Sequence, residues 1–163
     1  MKNKIIIYTD GAARGNPGPA GGGAVIINYE LRITNYKIVE LGGVSKHATN
    51  NQMELTAPIE ALKALSRSNL DIKRQIEIFS DSKYVILGIT EWIFNWQKNN
   101  WRNAAKKPVL NKEFWEELYK LSQQFKIKWT YVEGHIGNKY NERADEIATN
   151  FADGIKIKLK KEK

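Results

Sequence analysis

Two short apolar runs in this chain each stop on an aspartate. Ile5–Thr9 leads into Asp10, and Ile76–Ser80 leads into Asp81. Runs of this length and character read as short buried strands, so a carboxylate is delivered to a strand end twice. After Asp10 comes a burst of Gly, Pro and Asn in "DGAARGNPGPAGGGAVI", which reads as a flexible turn, before strand character resumes over Ala24–Tyr29. Arg32–Val44 alternates as a third strand, and the short turn near Asn28–Leu31 makes the three an antiparallel meander.

The rest alternates helix and strand. "NNQMELTAPIEALKAL" has Met53, Leu55, Ile59, Leu62 and Leu65 at helical spacing, with Thr49 or Asn50 as cap. Pro58 inside it removes the hydrogen bond to the Glu54 carbonyl and predicts a local bend. "SKYVILGI" reads as a brief helix ended by Gly88, followed by another over Glu91–Gln97. "NKEFWEELYKLSQQ" is an amphipathic helix, Ile127–Val132 a fifth strand and "NERADEIATNFA" a final helix. The order predicts an α/β fold, a mixed five-stranded sheet flanked by helices on both faces. The 163-residue length favours one domain, and no repeat or linker divides it. We place the domain at 1–154 and a basic C-terminal tail at 155–163. The tail reads as a frayed, solvated end, with an extra strand from its Ile/Lys alternation or a nucleic-acid tether as alternatives.

The chain has no Cys, which excludes disulfides, thiolate metal sites and a Cys nucleophile. No apolar run reaches the ~18–20 residues of a membrane span. Asp10 interrupts the first apolar run too soon for a secretory segment, so a cytoplasmic protein is expected. A net charge of +8 favours an anionic partner, nucleic acid first.

Asp10 and Asp81 end strands, Glu54 sits in the first turns of the long helix, and Asp145 sits near the start of the last one. Singly, these are ordinary turn or helix-start residues. Gathered at one sheet edge, four carboxylates repel one another and persist as anions only beside cations. All-oxygen ligands favour Mg²⁺ first and Mn²⁺ second. Two such ions ~3.5–4 Å apart clamp the attacking and leaving oxygens of a phosphodiester.

The blocks "YTDGAARGNPGPAGGGAVI", "TNNQMELTAPIEAL", "IFSDSKYVILGITEWIFNW" and "KWTYVEGHIGNKYNERADEIA" together resemble the type 1 ribonuclease H family, from Ile5 to about Phe151. The resemblance implies a ribonuclease H-like fold, with three antiparallel strands followed by two parallel ones. It implies an endoribonuclease that hydrolyses the RNA strand of RNA–DNA hybrids and leaves 5′-phosphate and 3′-hydroxyl ends; a monomer is the simplest expectation, and the lack of a membrane-spanning run predicts no membrane partner. The catalytic and metal-binding carboxylates it implies are Asp10, Glu54, Asp81 and Asp145, with His135 in an auxiliary catalytic role. Glu142, on the helical face of Asp145, either tunes a metal or is an ordinary helix-start residue. For RNA-strand recognition the resemblance points to Gly11, Asn16, Asn50 and Gln52, and for a DNA phosphate pocket to Thr49 and Asn51. "TEWIFNWQKNNWRNAAKKPV" resembles the family's basic protrusion, where Trp96, Lys98, Lys106 and Lys107, with Arg102 beside them, are expected on the DNA backbone and Trp92 in the core. Departures from the family pattern are Glu133 where a basic residue is common, Ala13 where some relatives carry Cys, and Lys83 where an amide is common. Two competing readings are a hybrid-binding module of the same fold with weak or no catalysis, and an integrase- or resolvase-like core acting on DNA. The protrusion-like segment and the "NNQMEL" block argue against the second.

Overall fold

The structure, a computed structural model, describes residues 4–29, 37–68, 74–134 and 138–161. Strands β1 (Lys4–Ala13), β2 (Gly18–Asn28) and β3 (Lys37–Ala48) form the antiparallel meander. β4 (Gln75–Ser80) and β5 (Lys126–Tyr131) continue the sheet in parallel with β1, in the order β3-β2-β1-β4-β5. The unbroken apolar run of β1 follows from its central place. Successive side chains face opposite sides. Ile5 and Ile7 pack with Leu55, Ile59 and Leu62 of α1 (Asn50–Ser66) and Trp115 and Leu118 of α4 (Lys112–Ser122). Ile6 and Tyr8 pack on the other side with Val25, Ile27 and, from α5 (Lys139–Ala152), Ala144 and Ile147. No helix among the described residues is long and apolar enough to cross a membrane.

Several local expectations are corrected. The glycine run is strand from Gly18 onward, and only the stretch around Arg14–Pro17 turns. A Cβ at Gly23 would lie 2.6 Å from the Ala144 carbonyl oxygen and one at Gly21 2.3 Å from that of Ala148, so these glycines let the backbone of α5 rest on the sheet. β3 begins at Lys37 and runs on to Ala48, while residues 32–36 of the expected strand lie outside the described residues. The helix expected around Pro58 is present: α1 spans Asn50–Ser66 with Pro58 buried inside it, and its start carries a capping box between Thr49 and Gln52.

Gly88 does not end a helix. α2 (Lys83–Leu87) passes through a π-helical turn (Gly88–Trp92) into α3 (Ile93–Lys98), and Gly88 keeps helical angles, φ −62° and ψ −49°. Its missing side chain makes room for a neighbour instead: a Cβ there would lie 2.0 Å from the Trp115 ring. Trp92 is not core but 38% exposed. Trp96 is the inner residue, half-buried with its ring edge-on to Trp115 at 5.4 Å between centroids.

The tail is not frayed over 155–161. The Glu40 amide donates to the Lys160 carbonyl at 2.8 Å, the Lys160 amide donates to Glu40 Oε1 at 2.9 Å, and Arg143 Nη2 donates to the Lys158 carbonyl at 2.9 Å. Ile157 and Leu159 pack on the cluster beneath α5. The segment forms no regular strand; it is a strap laid from the end of α5 back across to β3.

Candidate active site

Strand register builds the site. In the parallel pair β1–β4, Thr9 stands opposite Ser80, so the next residues, Asp10 and Asp81, leave neighbouring strands at one level, strands being ~4.8 Å apart. β4 ends there, while β1 continues, pairing Asp10 with Gly23.

The third carboxylate arrives through a close approach. A Cβ at Gly11 would lie 2.4 Å from both the Glu54 nitrogen and the Met53 carbonyl carbon, so only glycine lets α1 cross β1 at this point. The Gly11 amide then donates to Asp10 Oδ1 at 2.9 Å and also to Glu54 Oε1. One N–H thus joins two carboxylates. Ser82 adds a hydrogen bond to Glu54, while its Oγ accepts the Val85 amide at 3.2 Å as the cap of α2. Oxygens of Asp10, Glu54 and Asp81 all lie within 4.8 Å of one another. Asp145, half-buried on α5, hydrogen-bonds Asp10.

The electrostatics follow from this crowding. Burial first, then the hydrogen bond and charge of Glu54, the charge of Asp81 and the contact with Asp145 all push the Asp10 carboxyl far above the usual carboxylate range. Burial also raises Glu54, helped by the Asp81 charge, while hydrogen bonds from Asp10, the Gly11 amide and Ser82 pull the other way. Stacked negative charge in a poorly solvated corner favours retained protons or a cation. The donor set, all carboxylate oxygen with a mutual spacing a single ion can span, fits a hard divalent metal.

The expected nucleic-acid residues fall into two groups. Around the start of α1, the Ala13 amide donates to Asn50 Oδ1 at 2.7 Å and the Asn50 amide to Asn16 Oδ1 at 2.9 Å. Thr49 and Gln52 cap one another, and Gln52 Nε2 reaches Asn111 Oδ1 at 3.2 Å. These polar side chains therefore hold the turn after β1 against α1, next to Gly11, with Asn51 exposed beside them. The second group is the segment after α3. Asn103 Oδ1 accepts the amides of Ala105 and Lys107, and Val109 donates to the Trp101 carbonyl at 3.0 Å. That scaffold presents Lys98, Arg102, Lys106 and Lys107 to solvent, with Trp96 turned inward. The groups connect through Gln52, Asn111 and Tyr84, whose hydroxyl accepts Asn111 Nδ2 at 3.1 Å.

His135 lies outside the described residues. The backbone leading to it is tight against the site, since a Cβ at Gly134 would lie 2.8 Å from Asp81 Oδ2. Glu142 is exposed. Lys83 stands 5.5 Å from the Tyr131 ring centroid. Sequence reasoning missed Ser82 and Asn138. Asn138 caps α5 and donates to the Tyr8 hydroxyl at 3.1 Å, tying the helix that carries Asp145 to β1. A Ser or Asn just ahead of a helical run was the signal available for both.

The sequence model of the RNase H family matches residues 2–153. A ribonuclease H of Francisella philomiragia is 48% identical over 147 residues, covering 90% of each chain. A crystal structure of a type 1 RNase H with the type 2 active-site motif superposes with a TM-score of 0.84 at 25% identity, over 94% of this chain and 74% of that one. An RNase H1 crystallised in complex with an RNA/DNA hybrid superposes with a TM-score of 0.69 at 28% identity, over 92% of this chain and 97% of that one.

Proposed function

Because the chain belongs to the ribonuclease H family and is a nuclease of that class, we propose that it is an endonuclease that hydrolyses the RNA strand of RNA–DNA hybrids. It leaves 5′-phosphate and 3′-hydroxyl ends and works as a monomer in the cytoplasm. The observation that carries this reading is the meeting of Asp10, Glu54 and Asp81 at one sheet edge, with Asp145 against Asp10.

Asp10, Glu54, Asp81 and Asp145 are the residues that would hold divalent metal, Mg²⁺ by preference with Mn²⁺ as a substitute. When bound, a pair of such ions supplies Lewis acidity for the attacking water and the leaving oxygen of the phosphodiester. The chain's own part is placement. β1 fixes Asp10, the Gly11 amide and Ser82 fix Glu54, and the Asn138 cap fixes the start of the helix bearing Asp145. Asn16, Asn50, Gln52 and the Gly11 backbone serve to read ribose 2′-hydroxyls, which is what separates RNA from DNA; what supports this is that they hold one another at the turn beside the carboxylates. Thr49 and Asn51 serve a DNA phosphate, and Lys98, Lys106 and Lys107 the DNA backbone farther along. His135 assists proton transfer or product release.

The test is cleavage of an end-labelled RNA strand paired to DNA, paired to RNA, or alone. Each is run with Mg²⁺, with Mn²⁺ and with chelator, alongside Asp10→Asn. Cleavage of the hybrid alone, dependent on metal and lost in Asp10→Asn, is the expected result. A hybrid that is bound but never cut would leave the fold standing and make the chain a binding module.

A further inference from the structure

The family match ends at residue 153, and the segment beyond it carries lysines at 156, 158, 160 and 161. In an extended segment alternate side chains face opposite ways. Ile157 and Leu159 turn inward and are half-buried, while Lys156, Lys158, Lys160 and Lys161 are exposed. The bonds that fix this register, from Arg143 to the Lys158 carbonyl and between Glu40 and the Lys160 main chain, use no lysine ammonium group. Their anchor is Glu40, 4% exposed and ion-paired with Arg143 at 2.8 Å.

We infer that the strap is a second nucleic-acid contact surface, which holds its lysines against the backbone of the hybrid flanking the cut site. The inference rests on the hybrid as substrate, and three observations carry it. The first is order. A loose lysine tail needs no inward-facing Ile and Leu, whereas this one is held in a fixed row, so the entropy of arranging its cations is already lost on folding. The second is charge. Among the described residues no carboxylate is seen to pair with Lys156, Lys158 or Lys161, and the Glu40 charge that Lys160 feels is already matched by Arg143. The third is place. Arg143, which holds Lys158, stands two residues before Asp145 on α5, and Glu40, which holds Lys160, is level with Tyr8 through the β3–β2–β1 register, so the strap is anchored within two residues of the Asp145 and Asp10 positions along both elements. It does so on the α5 layer, whereas Trp96 and Trp101 pack on the opposite, α1 layer. The two cationic surfaces therefore lie on opposite layers of the sheet.

The experiment measures hybrid affinity against salt for the Asp10→Asn chain and for the same chain carrying Lys156→Gln, Lys158→Gln, Lys160→Gln and Lys161→Gln. Two or three lost phosphate contacts should weaken binding roughly tenfold near 0.1 M salt and flatten the log–log slope by about 2. The melting temperature should change little, because Glu40, Arg143, the main chain they hold, Ile157 and Leu159 are all kept and only the Lys160 charge near Glu40 is lost. An unchanged slope overturns the inference, including the case in which the substitutions only lower the melting temperature. The outcome is separable from the proposed activity. A flattened slope with no hybrid cleavage by the unsubstituted chain upholds the surface and sinks the activity; cleavage with an unchanged slope does the reverse.

Discussion

Gly11 carries more of the site than its lack of a side chain suggests. Its N–H serves Asp10 and Glu54 together, and its bare Cα is what allows α1 to come close enough for Glu54 to arrive. Gly11→Ala would force α1 outward, with an overpacking cost of about 1–3 kcal/mol. Because a displacement near 1 Å at a reacting centre is worth roughly a hundredfold, kcat should fall about that much while the chain stays folded. Steady-state kinetics beside a thermal melt would check this, and a wild-type kcat would refute it. Glu40 shows a residue acting on stability instead. Burial pushes its pKa up, but the hydrogen bonds from Arg143 and the Lys160 amide, with the charges of both residues, outweigh burial and leave it below its ordinary 4.5. A depressed carboxyl stabilises the fold above its unfolded pKa and loses that contribution as pH falls through the folded one. Glu40→Gln should therefore cost about 3 kcal/mol near neutral pH, and its melting temperature should converge on the wild type as pH drops below 4.5. A gap that stays constant from pH 7 to pH 3 would show that the Glu40 charge is not its source.

At the scale of elements, the helix through Gly88 shows what a sequence conceals. A glycine near the end of an apolar stretch looks like a stop, but this one exists because Trp115 of α4 occupies the space where its side chain would be. Gly88→Ala should destabilise the chain by about 1–3 kcal/mol through overpacking, and reducing the ring at the same site, with Trp115→Phe, should recover part of the loss. Additive melting shifts would argue that the two positions do not touch. The strand carrying Asp10, though it runs on past it to Ala13, the strand leading to Asp81, the long helix with Glu54 and the final helix with Asp145 were all legible, because hydrophobic period and caps are local signals. What escaped was set by contacts distant in sequence. Gly21 and Gly23 read as turn residues until α5 is laid on them. Trp92 and Trp96 exchange their expected places because the position of Trp115 decides which ring is covered. Ile157 and Leu159 alternate with lysines too briefly to announce a docked segment.

Across the whole molecule, the strap fastens the chain's last described residues to the strand farthest from β5. Removing residues 155–163 would uncover the apolar cluster under α5 and strip Glu40 of two main-chain partners. The truncated chain should melt lower, which calorimetry would detect; an identical melt would mean the strap adds nothing to stability. β3 and β5 are the two borders of the sheet. β5 sets Lys126 and Lys128 on its exposed positions. β3 has the exposed, uncharged stretch Gly42–Val44, and at Glu40 its outward N–H is already taken by Lys160. A bare strand border is a template for another copy. The strap therefore also governs how the protein behaves in concentrated solution. The full chain should remain monodisperse as it is concentrated, and the shortened one should scatter light increasingly as neighbouring molecules join border to border.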